Sequence, residues 1–118
     1  MKTKLTALLV LITSFMFSQS EVILVGGIQD DNPNQNNILS DAINSLNGQG
    51  TITIKGNIVL NNDFTIPEGI ELRFFKENEL IVNNNHNLEI NGSINAGIYQ
   101  IFSGSGNITG NPKISEAY

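Results

Sequence analysis

Between Asn57 and Ala96 apolar and polar residues alternate over short runs, and each run ends at Asn, Gly or Pro. Ile58 and Leu60 share one parity, as do Phe64 and Ile66, and Ile70, Leu72 and Phe74; Val59, Thr65, Glu71 and Arg73 fall between them. Side chains of a strand point alternately to opposite faces. A period of two therefore predicts short strands, each buried on one face. No run here carries a helical stripe. Asn tolerates left-handed backbone and bonds its own main chain through its side chain, so Asn61-Asn62 and Asn83-Asn84-Asn85 predict corners.

The pattern nearly repeats. Ile58-Val59-Leu60-Asn61-Asn62 aligns with Leu80-Ile81-Val82-Asn83-Asn84, and Phe64-Thr65-Ile66-Pro67 with Leu88-Glu89-Ile90-Asn91. Gly69-Ile70-Glu71-Leu72 then falls near Ser93-Ile94-Asn95-Ala96. The offset is about 22 residues at the start and about 24 at the end, within the range of repeating architectures. Stacked repeats would bring the Asn corners together, with side chains bonding from one repeat to the next.

Glu21–Val25 (EVILV) predicts a first strand ended by Gly26-Gly27, with a polar stretch over 29–37. Asn32 before Pro33, with Gln35 following, fits a helix start: N-cap, N1 and N3. The helix is expected to run to about Asn47, with Ile38, Leu39, Ala42, Ile43 and Leu46 as its apolar stripe and Asn47-Gly48 and Gly50 as its stop. Such a helix closes the end of a stack that Thr51–Ile54 opens, because an uncovered end exposes strand edges and core side chains. Beyond Ala96, Gly97–Phe102 reads as strand, Ser103–Gly106 as turn, and Asn107–Thr109 and Lys113–Ser115 as short strands. The expectation is an all-β fold of about three coils over 51–118, preceded by a first strand and capping helix over 21–50. With no closing helix before Tyr118, the chain reads as the N-terminal part of something longer.

Met1–Ser20 has the form of an export leader. Lys2 and Lys4 precede the apolar run Leu5–Phe17, and Ser18 and Ser20 place cleavage before Glu21, with cleavage before Gln19 as the alternative. The run is short for a membrane span, and no later stretch is long and apolar enough to be one. The expected location is extracellular.

Composition narrows the chemistry. The 118 residues carry a net charge of −5 with only 14% charged residues, and the six Lys and Arg are scattered in sequence. Nucleic-acid binding needs clustered cations, so no nucleic-acid partner is expected. There is no Cys and a single His, which supplies neither disulfides nor thiolate metal sites and leaves a His-based relay poorly provided.

Few residues stand out as chemistry. Glu71 and Arg73 alternate on one strand and face outward, where they would contact a sugar chain or simply be solvated. Glycoside hydrolysis needs two carboxylates flanking one bond, and Glu71 with Glu79 or Glu89 from neighbouring coils is the available combination. Asp30-Asp31 offers hard oxygen ligands for Ca²⁺, but without a D-x-D-x-D-G loop it reads as a polar turn, so no cofactor is expected. His86, between Asn85 and Asn87, has no orienting partner nearby in sequence and reads as a loop residue. Asn91-Gly92-Ser93 and Asn107-Ile108-Thr109 match the glycosylation pattern.

Asn37–Leu46 (NILSDAINSL), Gly48–Ile54 (GQGTITI) and Thr65–Leu72 (TIPEGIEL), in that order after a leader and first strand, resemble the opening of pectin-lyase-like right-handed parallel β-helix proteins. Ala96–Tyr118 resembles a segment that such proteins continue past. The likeness covers nearly all of the chain after the leader, and its motifs are architectural. It implies contact with a polysaccharide or cell-surface glycan. No catalytic residue of such enzymes maps onto a position here. The expected role is a secreted scaffold without a catalytic site of its own. The alternatives are a fragment of a polysaccharide lyase or glycoside hydrolase with its active site beyond Tyr118, or a small surface adhesin.

Overall fold

The alternating runs form strands, and every strand pairs in parallel. The computed structural model describes residues 20–30, 37–97 and 99–116. All of the leader but Ser20, together with Asp31 and the Asn32-Pro33-Gln35 helix start, lies outside the described residues.

The elements are β1 (Glu21–Leu24), β2 (Gly27–Gln29), α1 (Ile38–Ser45), β3 (Gly50–Ile54), β4 (Ile58–Leu60), β5 (Phe64–Ile66), β6 (Ile70–Phe74), β7 (Leu80–Val82), β8 (Asn87–Ile90), β9 (Ser93–Ala96), β10 (Phe102–Ser103), β11 (Asn107–Gly110) and β12 (Lys113–Glu116). They make three parallel sheets. The first is ordered β1-β3-β6-β9-β12, the second β2-β4-β7-β10 and the third β5-β8-β11. The chain visits the sheets in rotation: β3, β4 and β5 form one round, β6 to β8 the next, β9 to β11 the last, and β12 returns to the first sheet. In the opening round α1 follows β2 where later rounds have a strand of the third sheet.

In β1 to β9 one parity packs inside. In the first sheet Val22, Ile52, Leu72, Ile94 and Ile114 are successive partners. In the second, Ile58 pairs with Leu80 and Leu60 with Val82. In the third, Phe64 pairs with Leu88 and Ile66 with Ile90. Ile52, Ile58, Leu60, Ile66, Leu72, Leu80, Val82, Leu88 and Ile90 are all fully buried. Burying such a side chain contributes about 1.5–3 kcal/mol, so these like-on-like columns are the main stabilising term.

Corner side chains bond from round to round, as the Asn alignment implies. Asn83 Nδ2 donates to Asn61 Oδ1. Asn57 Oδ1 accepts the Glu79 N–H at 3.0 Å; between strands β8 and β11, Asn87 Nδ2 donates to Thr109 Oγ1 at 2.9 Å. Asn85 adopts φ 69°, the left-handed corner conformation.

Four expectations change. The register in the first sheet pairs Glu71 with Ser93 and Leu72 with Ile94, two residues from the alignment of Glu71 with Asn95. Between Val82 and Leu88 the corner is two residues longer than between Leu60 and Phe64, and the next corner is two shorter. The two changes cancel. A shift of two keeps the inward parity, so the hydrophobic pattern alone does not detect it. Second, the stack opens at β1, which pairs with β3, and not at Thr51; Gly26-Gly27 is a corner and β2 follows it, pairing with β4. Third, the helix begins at Ile38, because Asn37 is extended (φ −97°, ψ 91°) and makes no side-chain cap bond. Fourth, among the described residues of the Gly97–Phe102 stretch only Phe102 is strand, with Ser103 joining it in β10.

The helix stripe packs as expected, with Leu39, Ala42 and Leu46 buried, and its end turns through Asn47 (φ 54°) and Gly48 (φ 76°). No helix among the described residues is long and apolar enough to cross a membrane.

Close stacking makes one glycine irreplaceable for steric reasons. A Cβ on Gly92 would lie 1.9 Å from the Ile70 carbonyl oxygen and 2.8 Å from that of Pro67. Both are main-chain atoms that cannot swing away. Gly92→Ala is expected to destabilise by about 1–3 kcal/mol, read as a lower urea midpoint. An unchanged midpoint would contradict this approach of successive corners.

Candidate functional site

The outer face of the first sheet carries the polar parity. Glu21, Thr51, Glu71, Ser93 and Lys113 form one column of register partners, and Ile23, Thr53, Arg73 and Asn95 the next. The Glu71 carboxylate is the hub. Its Oε1 accepts from Thr51 Oγ1 at 3.0 Å and Arg73 Nη2 at 3.5 Å, and its Oε2 accepts from Asn95 Nδ2 at 3.5 Å. The Arg73 side chain remains 45% exposed and that of Glu71 28%. An ion pair this open is worth at most about 1 kcal/mol, so the guanidinium keeps donors free for a ligand.

Arg73 also lines a cleft of about 420 Å³ with Phe74, Phe75, Lys76, Asn95 and Tyr99. The stacking of rounds builds it. Ile54 pairs with Phe74, which places Lys55 beside Phe75 at the same sheet end. The Lys55 Nζ lies 4.8 Å from the centre of the Phe75 ring, a cation–π contact. Phe75 is half-exposed, yet its backbone is held by an N–H bond to the Ile54 carbonyl at 3.3 Å. Inside the same corner, Phe74 meets Phe102 edge-on at 5.7 Å between ring centres. Tyr99 is positioned from the following round, its hydroxyl donating to the Phe74 carbonyl at 2.6 Å.

The cleft therefore gathers three aromatic rings, a guanidinium, an amide and an ammonium group from two successive rounds, with the Lys55 ammonium of the preceding round against Phe75. Lys55, Arg73 and Lys76 are three of the four cationic residues outside the leader; Lys113 is the fourth. On a chain of net charge −5 this is a local reversal of sign. Another cleft, between α1 and β1–β2, is lined by Val22, Ile28, Ile38 and Ala42 among others and has neither ring nor cation. A third, beside Gly92, has Lys113 and no ring.

Glu71 and Arg73, the two outward residues that the alternation singles out, sit together on this face. Lys55, Phe75, Lys76, Asn95 and Tyr99 are not apparent from the pattern. Their one sequence signal is the repeat of an inward apolar residue followed by an outward one at Ile54-Lys55 and Phe74-Phe75. The three carboxylates of the hydrolase combination are dispersed. Glu71 is on the first sheet, Glu79 precedes β7 of the second, and Glu89 is on β8 of the third. There Glu89 accepts from Thr65 and Asn91, both at 3.4 Å. They do not flank one bond.

Asp30 lies before α1, where its N–H donates to Asn37 Oδ1 at 3.1 Å. Among the described residues no three His, Cys, Asp or Glu side chains gather as a metal site. His86 lies in a loop, as its sequence reading has it, and has a carboxylate neighbour distant in sequence. Its Nδ1 lies 3.6 Å from Asp63 Oδ1, an oxygen that also accepts the Asn87 N–H at 2.9 Å. The neighbour comes from the preceding round, which linear proximity does not reveal.

No family model, curated protein or solved structure matches the chain.

Proposed function

We propose that the chain is a right-handed parallel β-helix, exported by its leader, that contacts a polysaccharide or cell-surface glycan and has no catalytic site of its own. The rotation of the chain through three parallel sheets supports the helical winding. A parallel strand–crossover–strand connection within one sheet is right-handed in about 98% of cases, which supports the hand. The likeness of 37–72 to pectin-lyase-like β-helix proteins supports the same reading.

The observation that carries the functional part is the Arg73–Phe75–Tyr99 cleft. A sugar ring presents an apolar C–H face and a rim of hydroxyls. Phe75 and Tyr99 offer surfaces for the first, and Arg73, Asn95 and Glu71 offer donors and acceptors for the second. Lys55, Arg73 and Lys76 add a preference for rings bearing carboxylate or sulfate groups.

Calorimetric titration against a panel of neutral and acidic polysaccharides tests this reading. Binding is expected to favour the acidic members and to weaken with salt. Phe75→Ala is expected to lower affinity about tenfold, as loss of an exposed anchor does. No binding to any member of the panel, or binding indifferent to Phe75→Ala, would remove the cleft from the function.

A further inference from the structure

The outer face of the second sheet is apolar where the other two sheets are polar. Its outward column is Ile28, Val59 and Ile81 in register, continued by Ser103. The corresponding outward residues are Thr51, Glu71 and Ser93 in the first sheet and Thr65, Glu89 and Thr109 in the third. We infer that a second copy of this chain covers this face, related by a two-fold axis that sets Val59 against Val59 of the other copy. Three observations carry this, independently of the glycan reading.

The first is composition. Ile58-Val59-Leu60 and Leu80-Ile81-Val82 are aliphatic without alternation. Parallel strands read this way when both of their faces are covered. On the inner face Ile58, Leu60, Leu80 and Val82 are fully buried. On the outer face Ile28 is 45% exposed, and Val59 and Ile81 are only half-buried. Covering them removes apolar surface from water, which drives association.

The second is the rim. Asn57 and Glu79 flank the column on one side, and Asp30, Asn61 and Asn83 on the other, each two residues from a column member. Amides donate and accept alike, so identical amide rims satisfy one another, which rims of a single charge do not. The two carboxylates stand at diagonally opposite corners of the face. A two-fold rotation that keeps the strands of the packed sheets aligned therefore sets neither against a carboxylate of the other copy.

The third is charge. Two copies of a chain with net charge −5 repel, and they meet best where charge is sparse. No cation stands on this face, and its centre is uncharged. An apolar centre depleted of charge within a polar rim is the anatomy of a protein interface. Because the same surface serves on both copies, the contact closes as a dimer. Three short strands offer less than the roughly 800 Å² per partner of a stable complex, so the dimer is expected to be weak.

Sedimentation velocity of the full chain, carried to high concentration, is expected to show a monomer–dimer equilibrium that persists in added salt. Val59→Lys, checked for wild-type circular dichroism, sets ammonium against ammonium and is expected to weaken association tenfold or more. Val59→Thr keeps the branched shape that suits a strand and is expected to weaken it less. The chain has no Cys, so a single introduced thiol reports one position. Val59→Cys treated with a short bis-maleimide is expected to give covalent dimer about tenfold faster than Thr65→Cys, whose thiol lies on the outer face of the third sheet. A monomer at all concentrations, growth past dimer, equal cross-linking at the two positions, or association unmoved by Val59→Lys, as adhesion through the apolar leader would give, would each overturn the proposal.

Discussion

Replacing Leu72 by alanine is expected to cost about 3–5 kcal/mol, the range of buried leucine truncations. Leu72 is fully buried, with Ile52 on one side and Ile94 on the other in the longest column of the core. Those two neighbours are fixed by their own strand ladders, so the space cannot close by collapse. The residual cavity adds to the lost transfer free energy. Set against a typical total of about 5–15 kcal/mol for a domain, this is a large fraction. The thermal midpoint should fall by roughly 12 °C or more. Arg73→Ala, one residue on, removes an exposed side chain and a long ion pair and is expected to cost less than about 1 kcal/mol. The pair of variants tests strand parity directly in urea denaturation. Comparable losses at the two positions would mean that the inward and outward faces of β6 are misassigned.

That parity is legible in the amino-acid pattern alone, as are the partners of Ile58 and Phe64. Period two states which side chains turn inward, and Asn61-Asn62 and Asn83-Asn84 mark where each run breaks, so two runs superpose residue on residue. Legibility ends where a feature depends on the lengths of corners. The offset moves from 22 to 24 and back to 22 between the second, third and first sheets; the first change shows in the sequence alignment, and the return to 22 is invisible to a pattern of period two. It also ends at strands too short to alternate. Gly27-Ile28-Gln29 has one apolar residue between a glycine and an amide, and only its pairing with Ile58-Val59-Leu60 makes it a strand.

The candidate site is legible in part for the same reason. Glu71 and Arg73 are two apart on one strand, a relation that sequence displays. Lys55, Phe75 and Tyr99 are neighbours across rounds, with separations near the repeat length, and each in isolation reads as an ordinary corner residue. Asp63 beside His86 is the same case. In a fold built by stacking, a site runs along the stack axis, while the sequence runs around it.

Gln29 is where this matters most for stability, and Gln29→Ala is expected to cost about 3–5 kcal/mol. The side chain is only 2% exposed and stands in an inward column, paired with Leu60. Its Oε1 accepts the Leu39 and Ser40 N–H groups at 2.8 and 2.9 Å. Those are orphan donors of the first turn of α1, a turn that Asn37 does not cap with its side chain. The amide Nε2 donates to the Asp30 carbonyl at 3.3 Å and to Ser40 Oγ at 3.4 Å. Gln29 thus does what an N-cap does, from a strand ten residues upstream of Leu39, and ties the helix to the opening round. Alanine strands both N–H groups and leaves a void. Gln29→Leu refills the void and prolongs the apolar column, but burying a leucine returns about 1.5–3 kcal/mol, while each abandoned donor costs about 1–3 kcal/mol. The leucine variant is therefore expected to be intermediate and still less stable than the parent. Hydrogen exchange locates the effect: amides of 39–45 should lose protection in both variants well before those of β6 to β8. If helix protection stayed at the wild-type level, or if leucine raised stability, the helix would be held by its Leu39–Ala42–Leu46 stripe alone and the amide would be dispensable.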